Sequence, residues 1–261
     1  MKRARHAVGR ANLTGWLFVV LIAVVAELVI RRLGLEDSVA RPSETFSALA
    51  SELSSGSMSS EIGSTLERFV QGFAAAVVCG VGLGILIGSS RMLGDASFVV
   101  IEFLRPIPAI VLIPVALLFL GLGTPTIRFV IAYAAVWPIL LNTLYGVRGG
   151  DRMLHDVART SGLGRTERLV RVTLPAALPS IATGIRVSAP IALLVGVTAE
   201  WVTFAGGIGS YMRRQQDAFE LPEMYAAIVL TALLGYGINL ALRTAEQRTV
   251  FWAGEQRSSW T

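Results

Sequence analysis

Four ionisable residues stand inside apolar stretches of this chain: Glu27, Glu102, Arg105 and Glu200. An ion in a hydrocarbon environment is costly, and by default it marks a pathway, a relay or a paired charge. Catalysis needs more than that. The two histidines, His6 and His155, fall outside the apolar runs, and no acidic cluster has metal-ligand spacing, so neither a catalytic nor a metal site is expected. A phosphate-binding Gly-x-x-x-x-Gly-Lys-Ser/Thr loop is missing as well, because the sole lysine is Lys2. Cys79 has no second cysteine to pair with, and its run of small neighbours reads as a packing face.

Glu27 lies one turn from Arg31 and is expected to pair with it. Glu102 and Arg105 are three residues apart on one helical face and can neutralise each other. Arg105 also precedes Pro106-Ile107-Pro108, where freed backbone groups and a cation could face a cavity and attract an anion. Glu200 adjoins Trp201 and precedes Gly206-Gly207-Ile208-Gly209; it either shapes an outer gate or bonds the third apolar span. The pathway candidates are therefore Glu102, Arg105, Pro106, Pro108, Trp137, Asn142, Glu200 and Trp201, with Gly207 and Gly209 in an outer-gate loop.

A second constellation runs from Asp151 to Pro175. Leu154, Val157, Ala158 and Ser161 face one way at helical spacing, and Gly162 supplies the left-handed residue that commonly ends a helix. After Gly164 a short second helix presents Leu169, Val170 and Val172, and Pro175 is expected to stop it. The apolar face of this helix–turn–helix is too small to fold alone, so it must dock on something.

The elements that hold these residues are membrane helices. Of 261 residues, 53% are hydrophobic and 16% charged, with mean hydropathy +0.62, against about 25% charged in a soluble domain. The apolar residues gather into Leu13–Ile30, Phe69–Ser90, Phe98–Gly121, Phe129–Val147, Val187–Phe204 and Met224–Leu242, each close to the roughly 17–25 residues of a crossing. The expected fold is all-α and polytopic, with about six transmembrane helices. The first is read as a retained helix, since Glu-Leu-Val-Ile-Arg-Arg stands where a signal cleavage site would be. With both termini inside, 15 basic residues fall on the cytoplasmic side against 7 outside, which favours that orientation. The arginines are scattered through loops, unlike a nucleic-acid patch, and the excess faces anionic lipid headgroups.

Gly80, Gly84 and Gly88 repeat at four-residue spacing after Ala76, a pattern that lets helix backbones approach in lipid. Pro106, Pro108 and Pro114 predict an irregular third span at the heart of the assembly. Pro42 starts a short external helix with Phe46, Leu49 and Leu53 on one face, read as lying on the membrane surface.

Asp156-Val157-Ala158, three residues, Gly162, nine residues, then Val172-Thr173-Leu174-Pro175 resembles the "EAA loop" of permease subunits of binding-protein-dependent ABC importers. The family pattern is Glu-Ala-Ala, three residues, Gly, nine residues, Ile-x-Leu-Pro; Asp156, Val157 and Val172 are conservative departures from it. The resemblance runs from about Arg41 to Trp252 and is strongest to the nitrate/sulfonate/taurine branch. Arg105-Pro106-Ile107-Pro108-Ala109, Pro138 to Thr143, Pro175-Ala176-Ala177-Leu178-Pro179, Ala199-Glu200 and Gly207-Ile208-Gly209 carry it.

The resemblance implies a type I ABC importer permease fold in a bacterial plasma (inner) membrane, both termini cytoplasmic. Its loop would be a coupling helix seated on an ATPase, with Asp156, Val157, Ala158, Gly162, Leu163, Gly164, Arg165, Leu174 and Pro175 as the coupling residues. The chain would bind no cofactor; ATP and Mg would be handled by two copies of an ATP-binding cassette subunit. The other implied partners are a second permease copy, an extracytoplasmic solute-binding protein and the bilayer, with no nucleic acid. On this reading residues 1–60 form the first helix and an external segment, 61–248 the permease core with its coupling loop at 148–186, and 249–261 a cytoplasmic tail. The implied solute is a small one such as a sulfonate, taurine or nitrate. A stand-alone secondary transporter is the alternative, but no inverted hydropathy repeat accompanies it.

Overall fold

The computed structural model describes residues 2–34, 38–149 and 152–249, side chains at positions 2–14, 16, 152 and 154–156 excepted. Every regular element among them is helical. In chain order they are α1 (Lys2–Leu33), α2 (Pro42–Ser55), α3 (Ser59–Ser89), α4 (Arg91–Leu104), a 3₁₀ turn (Ala109–Leu112) and α5 (Ile113–Leu120). Then follow α6 (Thr124–Arg148), α7 (Arg152–Thr160), α8 (Arg165–Arg168), a π turn (Leu169–Thr173), α9 (Leu174–Thr203), α10 (Ile208–Asp217) and α11 (Leu221–Thr249).

Among the described residues four helical stretches are long and apolar enough to cross a membrane: Ser59–Ser89, Thr124–Arg148, Arg165–Thr203 and Leu221–Thr249. The pair Arg91–Leu104 and Ala109–Leu120 forms a fifth, bent by 84° at its break. The bend has a plain cause. Pro106 and Pro108 lack the N–H groups that the carbonyls of Glu102 and Leu104 would receive in an unbroken helix. Leu104 O instead accepts from Ile107 N at 3.1 Å and from the Tyr133 hydroxyl of α6 at 2.6 Å.

The core lies where α3, α6 and α9 meet. Phe69, Phe73 and Ala76 of α3 pack with Ile127, Val130, Ile131, Ala135 and Ile139 of α6, and Ala189, Ala192 and Leu193 of α9 close the other side. The small-residue stripe positions the α3–α6 pair. A Cβ at Gly72 or Gly80 would lie 2.8 or 2.9 Å from Ile131 or Ile139, and at Gly84 or Gly88 2.5 or 2.9 Å from Thr143 or Val147. The partner advances in step with each glycine, so the two helices run parallel and in close backbone contact, as small residues permit in lipid.

Three sequence expectations are corrected. Cys79 is exposed and points away from the stripe formed by its neighbours Ala76 and Gly80. The helix begun by Pro42 buries Thr45, Ala48 and Leu49 and leaves Phe46 and Leu53 exposed. Ala48 and Leu49 pack with Met58, just ahead of α3, and with Ile208, Tyr211, Ala226 and Leu230 of α10 and α11. Pro175 does not stop the second short helix of the loop: α8, the π turn and α9 form one continuous helical stretch, Arg165–Thr203. At the π turn Leu174 N–H bonds to Leu169 O, one residue beyond the α register, and this widening accommodates a proline in the next turn.

The α4–α5 segment is irregular as expected and forms an edge of this single chain, with Phe98, Phe103, Leu118 and Phe119 exposed. Glu27 behaves as expected and pairs with Arg31 at 2.7 Å. It also accepts from Ser43 N at 3.1 Å and Oγ at 2.9 Å, which ties α1 to the start of α2.

Candidate functional site

At the end of the bundle formed by the start of α3 and the end of α9 sits a buried polar corner. Glu200 is 1% exposed. Its carboxylate accepts from Arg68 Nη1 at 3.1 Å, Thr65 Oγ1 at 2.8 Å and the backbone N–H of Gly209 at 3.2 Å. Arg68 also donates to Gly206 O (2.8 Å), Ala205 O (2.7 Å) and Thr124 Oγ1 (3.3 Å). Buried opposite charges persist when they are paired and their remaining hydrogen-bond capacity is met, and both conditions hold here.

The chain makes this corner by turning sharply after α9. Phe204, Gly206 and Gly207 all have positive φ (53°, 83° and 92°), and α10 begins at Ile208. The turn leaves the first N–H groups of α10 facing acceptors on α3. Gly207 N–H donates to Glu61, Ile208 N–H to Thr65 Oγ1 at 2.9 Å, and Glu61 also pairs with Arg214 at 2.6 Å. A side chain at Gly209 has no room, since a Cβ there would stand 2.8 Å from Glu200 Cβ. Ile208 and Gly209 of the expected glycine loop therefore open helix α10, in which the Arg213 guanidinium lies 4.6 Å over the Trp201 ring.

Glu200 bonds α3, the second apolar span, and not the third as one reading of the sequence had it. Ser210 Oγ of α10 donates to Glu200 O at 2.8 Å. The sequence does not single out Arg68, Thr65, Glu61 or Ser210, although Thr65 and Arg68 stand one helical turn apart and share a face.

The other pathway candidates gather in a second place. Glu102 and Arg105 pair at 3.3 Å, each exposed at the chain's surface beside the break carrying Pro106 and Pro108. Trp137 meets Tyr133 edge-on, ring centroids 5.6 Å apart, and its buried indole N–H has no partner among the described residues. Asn142 lies further along α6 and turns inward on its own helix, donating to Pro138 O at 2.8 Å. Glu200 and Trp201 belong to the corner, and so the candidates form two groups.

At the opposite end of the bundle lies the helix–turn–helix. Leu163 N–H bonds to Ala158 O at 3.1 Å and Gly162 N–H to Arg159 O at 3.1 Å, with Gly162 at φ +79°. These two bonds close a Schellman turn at the end of α7. Gly164 N–H then faces Glu167 at 3.4 Å at the start of α8. Ala158 is buried and Val157 exposed; Asp156 lies in α7 with its side chain outside those described. Leu174 and Pro175 open α9. Val147, Ala177 and Ile181 pack this end of α6 against α9.

Residues 80–250 match the family described as the binding-protein-dependent transport system inner membrane component. The chain belongs to that family. This permease is 33% identical over 201 residues to an ABC transporter permease of Methanocaldococcus jannaschii, covering 77% of this chain and 75% of that one. It is 34% identical over 175 residues to the nitrate import permease NrtB of Synechocystis, covering 67% of this chain and 64% of NrtB. With the bicarbonate transport permease CmpB of Synechococcus elongatus it shares 35% identity over 175 residues, 66% of this chain and 61% of CmpB. Its fold matches a chain of the inward-facing MetNI methionine ABC transporter with TM-score 0.64 at 19% identity, covering 71% of this chain and 93% of that one.

The permease is thus a multi-pass, all-α membrane subunit of an ABC-type importer, non-catalytic in its own right. Among the described residues no group of His, Cys, Asp or Glu could hold a metal ion.

Proposed function

We propose that the permease lines the path of a small anion across a bacterial plasma membrane. On this reading it crosses six times with both termini cytoplasmic, pairs with a second copy of itself, and is driven by two ATPase subunits docked on α7 and α8. A solute-binding protein delivers the anion to the α10 side. The anion is of the nitrate, bicarbonate, sulfonate or taurine class; the kinship with NrtB and CmpB supports this choice.

The observation that carries the coupling role is the junction at the loop. The Schellman turn at Gly162 rigidifies α7–α8, and the π turn joins α8 to α9 without a break. A partner that displaces α8 therefore displaces α9 and the α6 face packed on it, which is the rigid-body route to alternating access.

Gly162 offers the test. A Cβ there meets nothing within 4 Å, so a side chain costs backbone strain alone. That strain is about 1–2 kcal/mol for most L-residues and least for Asn. In proteoliposomes containing the whole complex, Gly162→Val should lower transport per ATP about tenfold or more, and Gly162→Asn should stay near wild type. Equal coupling in both variants would refute the docking role.

A further inference from the structure

Where α3 turns into α4, beside α8, the surface opens into a recess of about 720 Å³. Arg91, Arg165 and Arg168 line it together with Ser90 and Thr166, and an adjoining recess is lined by Arg91 and Arg148. Four arginines thus line two adjoining hollows, with Arg91 shared between them. None of them forms an ion pair among the described residues. Arg168 Nε is buried without an acceptor, and Arg148 donates to the backbone carbonyl of Ile87 at 3.3 Å, which leaves its charge uncompensated. Among the described residues Asp95 is the one carboxylate on these walls, and it too forms no ion pair there. The net charge on the walls is strongly positive. Ser90 caps the 14-residue α4, so the positive end of that helix also faces the hollow.

Arginines held side by side with an unmet buried N–H describe half of a site; the missing half is an oxyanion that accepts in a fork geometry. We propose that this recess binds a phosphate-type oxyanion, either the headgroup of an anionic phospholipid or a free oxyanion in solution. Its position at the loop end of α3, α6 and α8 is the level of lipid headgroups, and basic pockets between membrane helices on the cytoplasmic side favour such groups. The lipid source rests on the orientation proposed above, whereas oxyanion binding itself does not. A bound oxyanion would bridge α8 to the α3–α4 corner and fix the coupling element relative to the core.

The test uses the full-length chain, with whatever subunits co-purify, in detergent and in nanodiscs. Native mass spectrometry compares dioleoyl-phosphatidylglycerol with dioleoyl-phosphatidylcholine. A second series compares sodium phosphate with sodium chloride at equal ionic strength. The wild type should retain phosphatidylglycerol over phosphatidylcholine, or bind phosphate, and Arg91→Gln/Arg168→Gln should weaken that binding about tenfold or more. Arg165→Gln removes an exposed side chain without disturbing packing and should weaken it severalfold, while Arg213→Gln at the other end should change nothing. Arginine-dependent binding of the lipid alone identifies a headgroup; arginine-dependent binding of phosphate alone identifies a soluble anion. Binding of neither probe, or equal binding by the arginine variants, overturns the proposal.

Discussion

Arg68→Ala is the sharpest test of how the α9–α10 corner is held. Its guanidinium satisfies Glu200, Gly206 O, Ala205 O and Thr124 at 2.7–3.3 Å, and its side chain is 10% exposed. Removal leaves a carboxylate that is 1% exposed without its counter-charge and takes a donor from two backbone carbonyls, of which Gly206 O keeps Ser210 Oγ at 3.0 Å. Breaking a buried ion pair by deleting one partner costs about 3–5 kcal/mol. Glu200→Gln should cost less, about 1–3 kcal/mol: the amide keeps the shape but presents a donor to Arg68 or to Thr65 and Gly209. Replacing Arg68 and Glu200 together by Met should recover part of the Arg68→Ala loss, because the uncompensated charge is gone. Equilibrium unfolding in mixed micelles, followed by tryptophan fluorescence, measures all three. An Arg68→Ala loss under about 1 kcal/mol, or a double variant no better than Arg68→Ala, would show that the pair is not what holds the corner.

Two further outcomes follow from the packing. Gly84→Leu places a side chain where even a Cβ would stand 2.5 Å from Thr143 Cβ; it should destabilise the α3–α6 pair by at least about 1–3 kcal/mol and lower the yield of folded protein, read by size-exclusion chromatography. Tyr133→Phe removes the 2.6 Å bond to Leu104 O, leaves the 3₁₀-type bond from Ile107 in place, and should cost about 0.5–1.5 kcal/mol in the same micelle titration.

The sequence exposes what is periodic or local and hides what depends on distant pairing. The glycine stripe is legible because four-residue spacing alone puts small side chains on one helical face, and α6 packs on that face. Gly162 is legible because a helix end in the left-handed region favours one residue type, and the Schellman bonds form there. Arg68 is hidden because the apolar run starts only at Phe69; α3 begins earlier, at Ser59, and carries Arg68 inside the helix. Its partner lies 132 residues away, and no spacing rule connects the two. Pro175 misled for a different reason: the rule that proline stops a helix assumes α register, and the π turn at Leu169–Thr173 suspends it. Phe46 and Leu53 look like an anchoring face in isolation, but a smaller face, Thr45, Ala48 and Leu49, fits the close approach of α11.

The continuous run Arg165–Thr203 spans 39 residues, about 58 Å at helical rise. On the proposed coupling it would work as a lever arm. Pivoted near its loop end, it turns a tilt of about 5° into a shift of about 5 Å at Glu200, roughly one helical turn. Because Glu200 and Ser210 clamp α10 to that far end, the shift is passed to α10 without slack. On the coupling proposed above, a movement at the loop smaller than a side chain would be delivered at the far end of α9 as a displacement of about one helical turn.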